Sequence, residues 1–223
     1  MTIRATAAKS ERNQIKALME LDLAITAFVS LFVIIDPIGL APLFVAVTQG
    51  NSKAERRGIA IRACLVGFGI LALFGIAGEG VLSVIGIGMP AFRISGGLLL
   101  FLTAIEMLFE KRTQRRENQA EGPAPDPSVF PLAMPLIAGP GAMTTMILLT
   151  GQYSGNIAGQ AMVFGVMILV IILVFIMFLA GNLIEKLFGQ TGINLITRLF
   201  GMFLAALSVQ FVIDGIRDIG IGG

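Results

Sequence analysis

Histidine and tryptophan are absent from this 223-residue chain, and cysteine and tyrosine occur once each. Without histidine there is no imidazole ligand for zinc, no imidazole base and no Ser-His-Asp triad. The single cysteine, Cys64, excludes an internal disulfide and lies in an apolar run, where packing is its ordinary role. Charge is scarce as well. Asp, Glu, Lys and Arg make up 13% of the residues, about half the ~25% of a soluble domain. No Gly-x-x-x-x-Gly-Lys loop is present, so an ATP-driven pump is not supported. No basic stripe interleaved with aromatics points to nucleic acid. No cofactor and no metal are expected.

What the chain has instead is apolar length: 56% of its residues are hydrophobic, which puts it in a membrane. The run from Leu21 to Val47 would be about 40 Å long as a helix, against about 30 Å of bilayer hydrocarbon. Near its middle stands Asp36-Pro37-Ile38-Gly39, with Pro42 beyond. Asp before Pro suits an N-cap followed by proline at the first helical position. The run therefore reads as two half-helices meeting at Asp36. In lipid such a break survives only where protein buries it or where it lines a wet cavity.

A second apolar run, Val129 to Thr150, is broken at Gly139-Pro140-Gly141. The shift that lays Pro37 on Pro140 also lays Gly78 on Gly181 and Gly86 on Gly189. With two residues inserted, Arg93 falls on Arg198 and Gly96 on Gly201. The chain thus reads as two copies of a unit of about 100 residues. Paired, interrupted apolar segments in matching halves point to a transporter's binding site.

The expected fold is an all-α membrane protein of six transmembrane helices, arranged as two inverted three-helix repeats with helices 1 and 4 broken. Residues 1–20 form a polar tail without an apolar core, unlike a cleavable signal peptide. Met19 fits an alternative start. The first repeat covers 21–110: helix 1 over Leu21–Val47, helix 2 over about Ile59–Ile85 and helix 3 over about Ala91–Phe109. Residues 111–128 read as a polar linker ending in a Gly/Pro-rich stretch. The second repeat covers 129–217: helix 4 over Val129–Thr150, helix 5 over about Ile157–Ile184 and helix 6 over about Leu195–Ile216. Helix 5 is apolar all round and is expected to face lipid.

Lysine and arginine set the orientation. Lys53, Arg56, Arg57, Arg62, Lys111, Arg112, Arg115, Arg116, Lys186 and Arg198 flank loops on one side, against Arg93, Arg217 and the tail on the other. This places both termini in the periplasm and turns the second repeat upside down relative to the first.

At its breaks the chain resembles the MarC family, named for multiple antibiotic resistance and including small neutral amino acid transporters. The residues that carry the resemblance are Asp36-Pro37-Ile38-Gly39 with Pro42, Pro135 to Gly141 with Thr144 and Thr145, and Val209 to Gly215. It covers Leu21 to about Arg217. Members of the family often show Asn where this chain has Asp36, so the departure adds a charge. The resemblance implies a bacterial inner-membrane protein with six spans that transports glycine- or alanine-like solutes. The resistance name is an operon label and does not imply efflux.

The candidate substrate-binding residues are Asp36, Pro37, Gly39, Gly139, Pro140, Gly141, Thr144, Thr145 and Gln210, with Asp36 also the ion-coupling residue. A carboxylate at mid-membrane is costly and usually functional; the plainer alternative is a cap and nothing more. Gly139 matches Asp36 in the second break, so the amides from Gly141 to Thr144 are expected to stay free for an anion. Thr144 and Thr145 lie one turn on and equally suit bonds back to their own helix. Gln210 and Asp214 share a face of helix 6, and the deeper Gln210 is the better candidate for a cavity wall. Arg93 and Arg198 fit as snorkelling anchors.

A zwitterion needs an anion site beside a cation site. The free amides suit its carboxylate, and Asp36 suits its ammonium or a coupling H⁺ or Na⁺. A side chain at Gly141 is expected to fill the carboxylate's space. Asp36→Asn is expected to weaken coupling and leave the fold intact. The leading function is a secondary transporter of small neutral amino acids, H⁺- or Na⁺-coupled. The alternatives are a passive channel or facilitator, or an exporter of another small solute. An intramembrane enzyme is disfavoured, since Asp36 has no second aspartate at matching depth. The oligomeric state stays open, a homo-oligomer included.

Overall fold

The structure is a computed structural model describing residues 21, 23–120 and 126–220. The polar tail with Met19, and residues 121–125 of the linker, lie outside it. The described residues are helical, and five helices are long and apolar enough to cross a membrane, six when a bent pair counts as one span.

The first span, Leu23–Val47, is two helices, α1 (23–35) and α2 (Pro37–Val47). They meet at Asp36, whose φ of 58° and ψ of 64° are left-handed, a region that Asp tolerates better than most residues. Then come α3 (Lys53–Val84) and α4 (Met89–Leu108). α3 opens on a capping box: Ser52 accepts from the Glu55 amide, and the Glu55 carboxylate accepts from the Ser52 amide.

The linker is not all loop. Lys111–Ala120 forms α5. It lacks an apolar stripe, so hydrophobic periodicity gives no sign of it. The fourth span pairs a π-helical segment, Ser128–Ile137, with α6 (Pro140–Gln152), and the two are bent by 55°. Pro131 and Pro135 interrupt the first part, where Phe130 and Met134 leave helical geometry.

Helix α7 (Ile157–Leu179) ends earlier than the Ile184 expected from its apolar run. One face, Val163, Met167, Val170, Val174 and Phe178, is fully buried, while Ile168, Leu169, Ile172 and Ile176 on the other side are exposed. The helix is therefore lipid-facing on one side only. Helix α8 (Gly181–Asp218) begins well before the expected Leu195 and is broken at Gly189, with φ 58° and ψ 174°. Hydrophobic period cannot locate such a joint, because both sides of it are helical.

The packing crosses between halves. Helix α2 packs on α7 and α8, whereas α6 packs on α3 and α4. Helices α4 and α8 form the largest contact of the fold. They run antiparallel at close range: a Cβ at Gly97 would lie 2.8 Å from the Ser208 carbonyl oxygen, and one at Gly215 would lie 3.0 Å from that of Pro90. Arg93 pairs with Asp218 at 2.5 Å and Arg198 with Glu110 at 2.7 Å. Arg93 near the start of α4 thus reaches the acid at the end of α8, and Arg198, in the part of α8 beyond the Gly189 break, reaches an acid just past the end of α4.

Candidate functional site

The first break is explained atom by atom. Asp36 caps α2: its Oδ1 accepts from the Gly39 amide at 3.1 Å, and Pro37 fills the first turn, where no N–H is required. Gly39 must be glycine, because a Cβ there would collide with the Asp36 carboxylate folded over it. Asp36 is fully buried.

Its partners come from far along the chain. Arg116 of α5 donates to Asp36 Oδ2 at 3.1 Å and, through Nη2, to the Ile35 carbonyl at 3.0 Å. Thr197 of α8 donates to the same Oδ2 at 3.3 Å. Arg112, one turn before Arg116 on α5, donates to the Ile34 carbonyl and to the Met107 thioether. The carbonyls of Ile34 and Ile35, close to where the helix breaks, thus accept from arginine. Both guanidinium groups are buried. The third arginine, Arg115, pairs with Glu106 of α4 at 3.0 Å, and the other Glu106 oxygen is buried with no partner among the described residues.

The second break repeats the cap-then-proline order without a carboxylate, on a different backbone: Gly139 is extended (φ −78°, ψ 167°) where Asp36 is left-handed. Gly139 is the N-cap of α6 with no side-chain hydrogen bond, and Pro140 follows. A Cβ at Gly139 would lie 2.6 Å from the Pro135 carbonyl oxygen, so a side chain is excluded sterically. The Met143 amide already donates to the Gly139 carbonyl at 3.0 Å. The uncapped amides are therefore those of Gly141 and Ala142, fewer than the four expected from Gly141 to Thr144.

Between the breaks lies a cavity of about 200 Å³. Its walls are Ile34, Leu99 and Thr103, the three arginines of α5, and the chain from Pro135 through Gly139, Pro140, Gly141 and Ala142. Of the candidate residues, Gly139, Pro140 and Gly141 line it. Asp36, Pro37 and Gly39 lie outside the lining, with Arg116 joining Asp36 to the cavity wall.

Thr144 and Thr145 are not in the lining. Thr144 packs its methyl towards Gly96, and the Thr145 hydroxyl donates back to the Gly141 carbonyl at 2.8 Å. Gln210 is not brought to the cavity either. It is exposed on α8 and donates to Asp214 at 2.8 Å. The buried face of α8 is that of Thr197, Gly201, Leu204 and Ser208.

Four site residues escaped the sequence reading: Arg112, Arg115, Arg116 and Thr197. The spacing of the arginines at i, i+3 and i+4 on one helix face was the available signal. It was masked because a basic loop ordinarily reads as a topology marker.

Paired helix breaks around a basic cavity, with spans on every side, define an integral membrane protein. The chain belongs to the MarC family: the description "MarC family integral membrane protein" matches residues 21–220. A UPF0056 membrane protein of Aquifex aeolicus is 37% identical over 88% of this chain and 94% of its own length. One from Methanocaldococcus jannaschii is 33% identical over 89% and 98%. The inner membrane protein YhgN of Escherichia coli K12 is 33% identical over 86% and 95%. No solved structure matches the chain.

Proposed function

We propose that the protein is an inner-membrane secondary transporter of small neutral amino acids of the glycine or alanine class, coupled to H⁺ or Na⁺, and not an enzyme. The observation that carries this reading is the cavity itself. It is bounded by the α6 N-terminus on one wall and by the arginines of α5 on another, beside the capped break at Asp36.

The two-repeat plan supports the same reading. The caps Asp36 and Gly139 correspond in sequence position, although one is left-handed and the other extended, and the corresponding glycines Gly86 (φ 78°) and Gly189 (φ 58°) both take positive φ. The exchange of α2 and α6 between halves gives each break walls from the other half, which supports a site at the interface of two repeats. Asp36 is the proposed coupling residue. With Arg116 on it the carboxylate is neutralised, and a proton or sodium ion has to replace that arginine to bind. We place both termini in the periplasm, by the charge of the loops.

Uptake of labelled glycine by proteoliposomes, with pH and Na⁺ gradients imposed separately, tests this function. Accumulation above the equilibrium level under one gradient is expected. Equilibration without accumulation under either gradient makes the protein a passive facilitator instead.

A further inference from the structure

The charges around the cavity do not balance. Three guanidinium groups line it. Arg116 is paired with Asp36 and Arg115 with Glu106. Arg112, 6% exposed, has a carbonyl and a thioether as acceptors, and no carboxylate within 4.0 Å among the described residues. Thioether sulfur is a weak acceptor. Asp36 and Glu106 offset the Arg112 charge only from a distance, and a buried guanidinium with no carboxylate in direct contact leaves room for an anion.

The facing wall is short of the same thing. The Gly141 and Ala142 amides stand at the positive end of α6 with no side chain to accept from them. Arginine on one side and uncapped amides on the other both call for a negatively charged oxygen. Neither Asp36 nor Glu106 lines the cavity, so no described carboxylate is there to receive an ammonium group.

We propose that the cavity recognises one small carboxylate, held between the Arg112 guanidinium and the Gly141 and Ala142 amides, with Arg115 adding charge at the rim. Guanidinium suits this partner because its planar fork matches a carboxylate with two parallel hydrogen bonds. The inference rests on the reading of this cavity as the solute site and sharpens it. The carboxylate is the recognised group, and the amino group of an amino acid adds no contact of its own. The ligand class is therefore small monocarboxylates. The linker helix, which carries the arginines, is part of the binding site.

Calorimetric titration of the purified full chain in nanodiscs tests this, with acetate, propionate, glycine, methylammonium and inorganic phosphate as probes. Acetate and propionate are expected to bind and to compete with glycine, whereas methylammonium does neither. Arg112→Gln is expected to weaken acetate binding at least tenfold. Where that buried variant does not fold, the half-exposed Arg115→Gln decides, with a loss of about threefold expected. Competition by methylammonium, phosphate binding as tight as acetate, or unchanged acetate affinity in every folded variant overturns the proposal. Acetate binding that the variants lose, in a protein that moves no solute, keeps the site and removes the transport reading. Glycine accumulation that acetate does not inhibit does the opposite.

Discussion

The guanidinium of Arg116 stands 3.1 Å from the carboxylate of Asp36, 80 positions earlier in the chain, and both side chains are buried. This contact ties the linker helix to the first helix break. Removing one partner of a buried ion pair costs far more than removing both, because the survivor stays charged and unpaired.

Asp36→Asn keeps a good N-cap, since Asn and Asp cap about equally well. It strands Arg116, however, so the intact fold expected from sequence alone now carries a cost. A loss of about 3–5 kcal/mol is expected for Asp36→Asn, with a large part recovered in Asp36→Asn/Arg116→Gln. The single, buried Cys64 supplies the readout, since a thiol-reactive dye reports its exposure on thermal unfolding. Additive losses in the double variant would show that the pair carries no coupling energy.

Gly141 faces protein as well as the cavity. A Cβ there would lie 2.8 Å from Ile34 Cδ1 and 3.4 Å from Leu100 Cδ2. Gly141→Ala is therefore expected to destabilise by about 1–3 kcal/mol through overpacking. Ile34→Val, which removes that Cδ1, should restore part of the loss. The expected effect on packing comes in addition to the filled carboxylate space that the sequence suggests. An unchanged melting temperature in Gly141→Ala argues against this wall of the cavity.

Two glycines with open space around them separate backbone from packing effects. Gly189 has φ 58° and ψ 174°, and Gly165 sits within α7; neither has a neighbour within 4 Å of an added Cβ. Gly189→Ala is expected to cost about 1–3 kcal/mol for a backbone that side chains disfavour. Gly165→Ala should gain up to about 1 kcal/mol of helix propensity. Equal melting temperatures for the two variants would mean that α8 is not broken at Gly189.

Orientation is tested by labelling from outside the cell in a Cys64→Ala background. Ser154, in the loop after α6, and Gln114 on α5 are both exposed. A cysteine at Ser154 is expected to react with an impermeant maleimide and one at Gln114 to be protected. The reverse pattern puts the termini in the cytoplasm.

Much of this protein was legible in its residues. Apolar runs too long and too poor in charge for a soluble fold require spans. Asp-Pro-x-Gly and Gly-Pro-Gly inside those runs require breaks, because proline removes an amide and glycine permits the close approaches seen at Gly39 and Gly139. These are local consequences of covalent chemistry, so sequence alone decides them, and family membership follows from the same motifs.

Only the tertiary structure decided what meets at the breaks. Gln210 shares the apolar setting of Thr197, yet the rotation of α8 turns Thr197 onto Asp36 and leaves Gln210 exposed. The arginines of α5 carry no apolar period, and a charged stretch between spans is ordinarily solvated. Arg112 and Arg116 are buried because the carbonyls of Ile34 and Ile35 and the Asp36 carboxylate, within reach only once the spans are packed, accept their hydrogen bonds. Burial of a charge is a property of its partners, and those partners lie some 80 residues away.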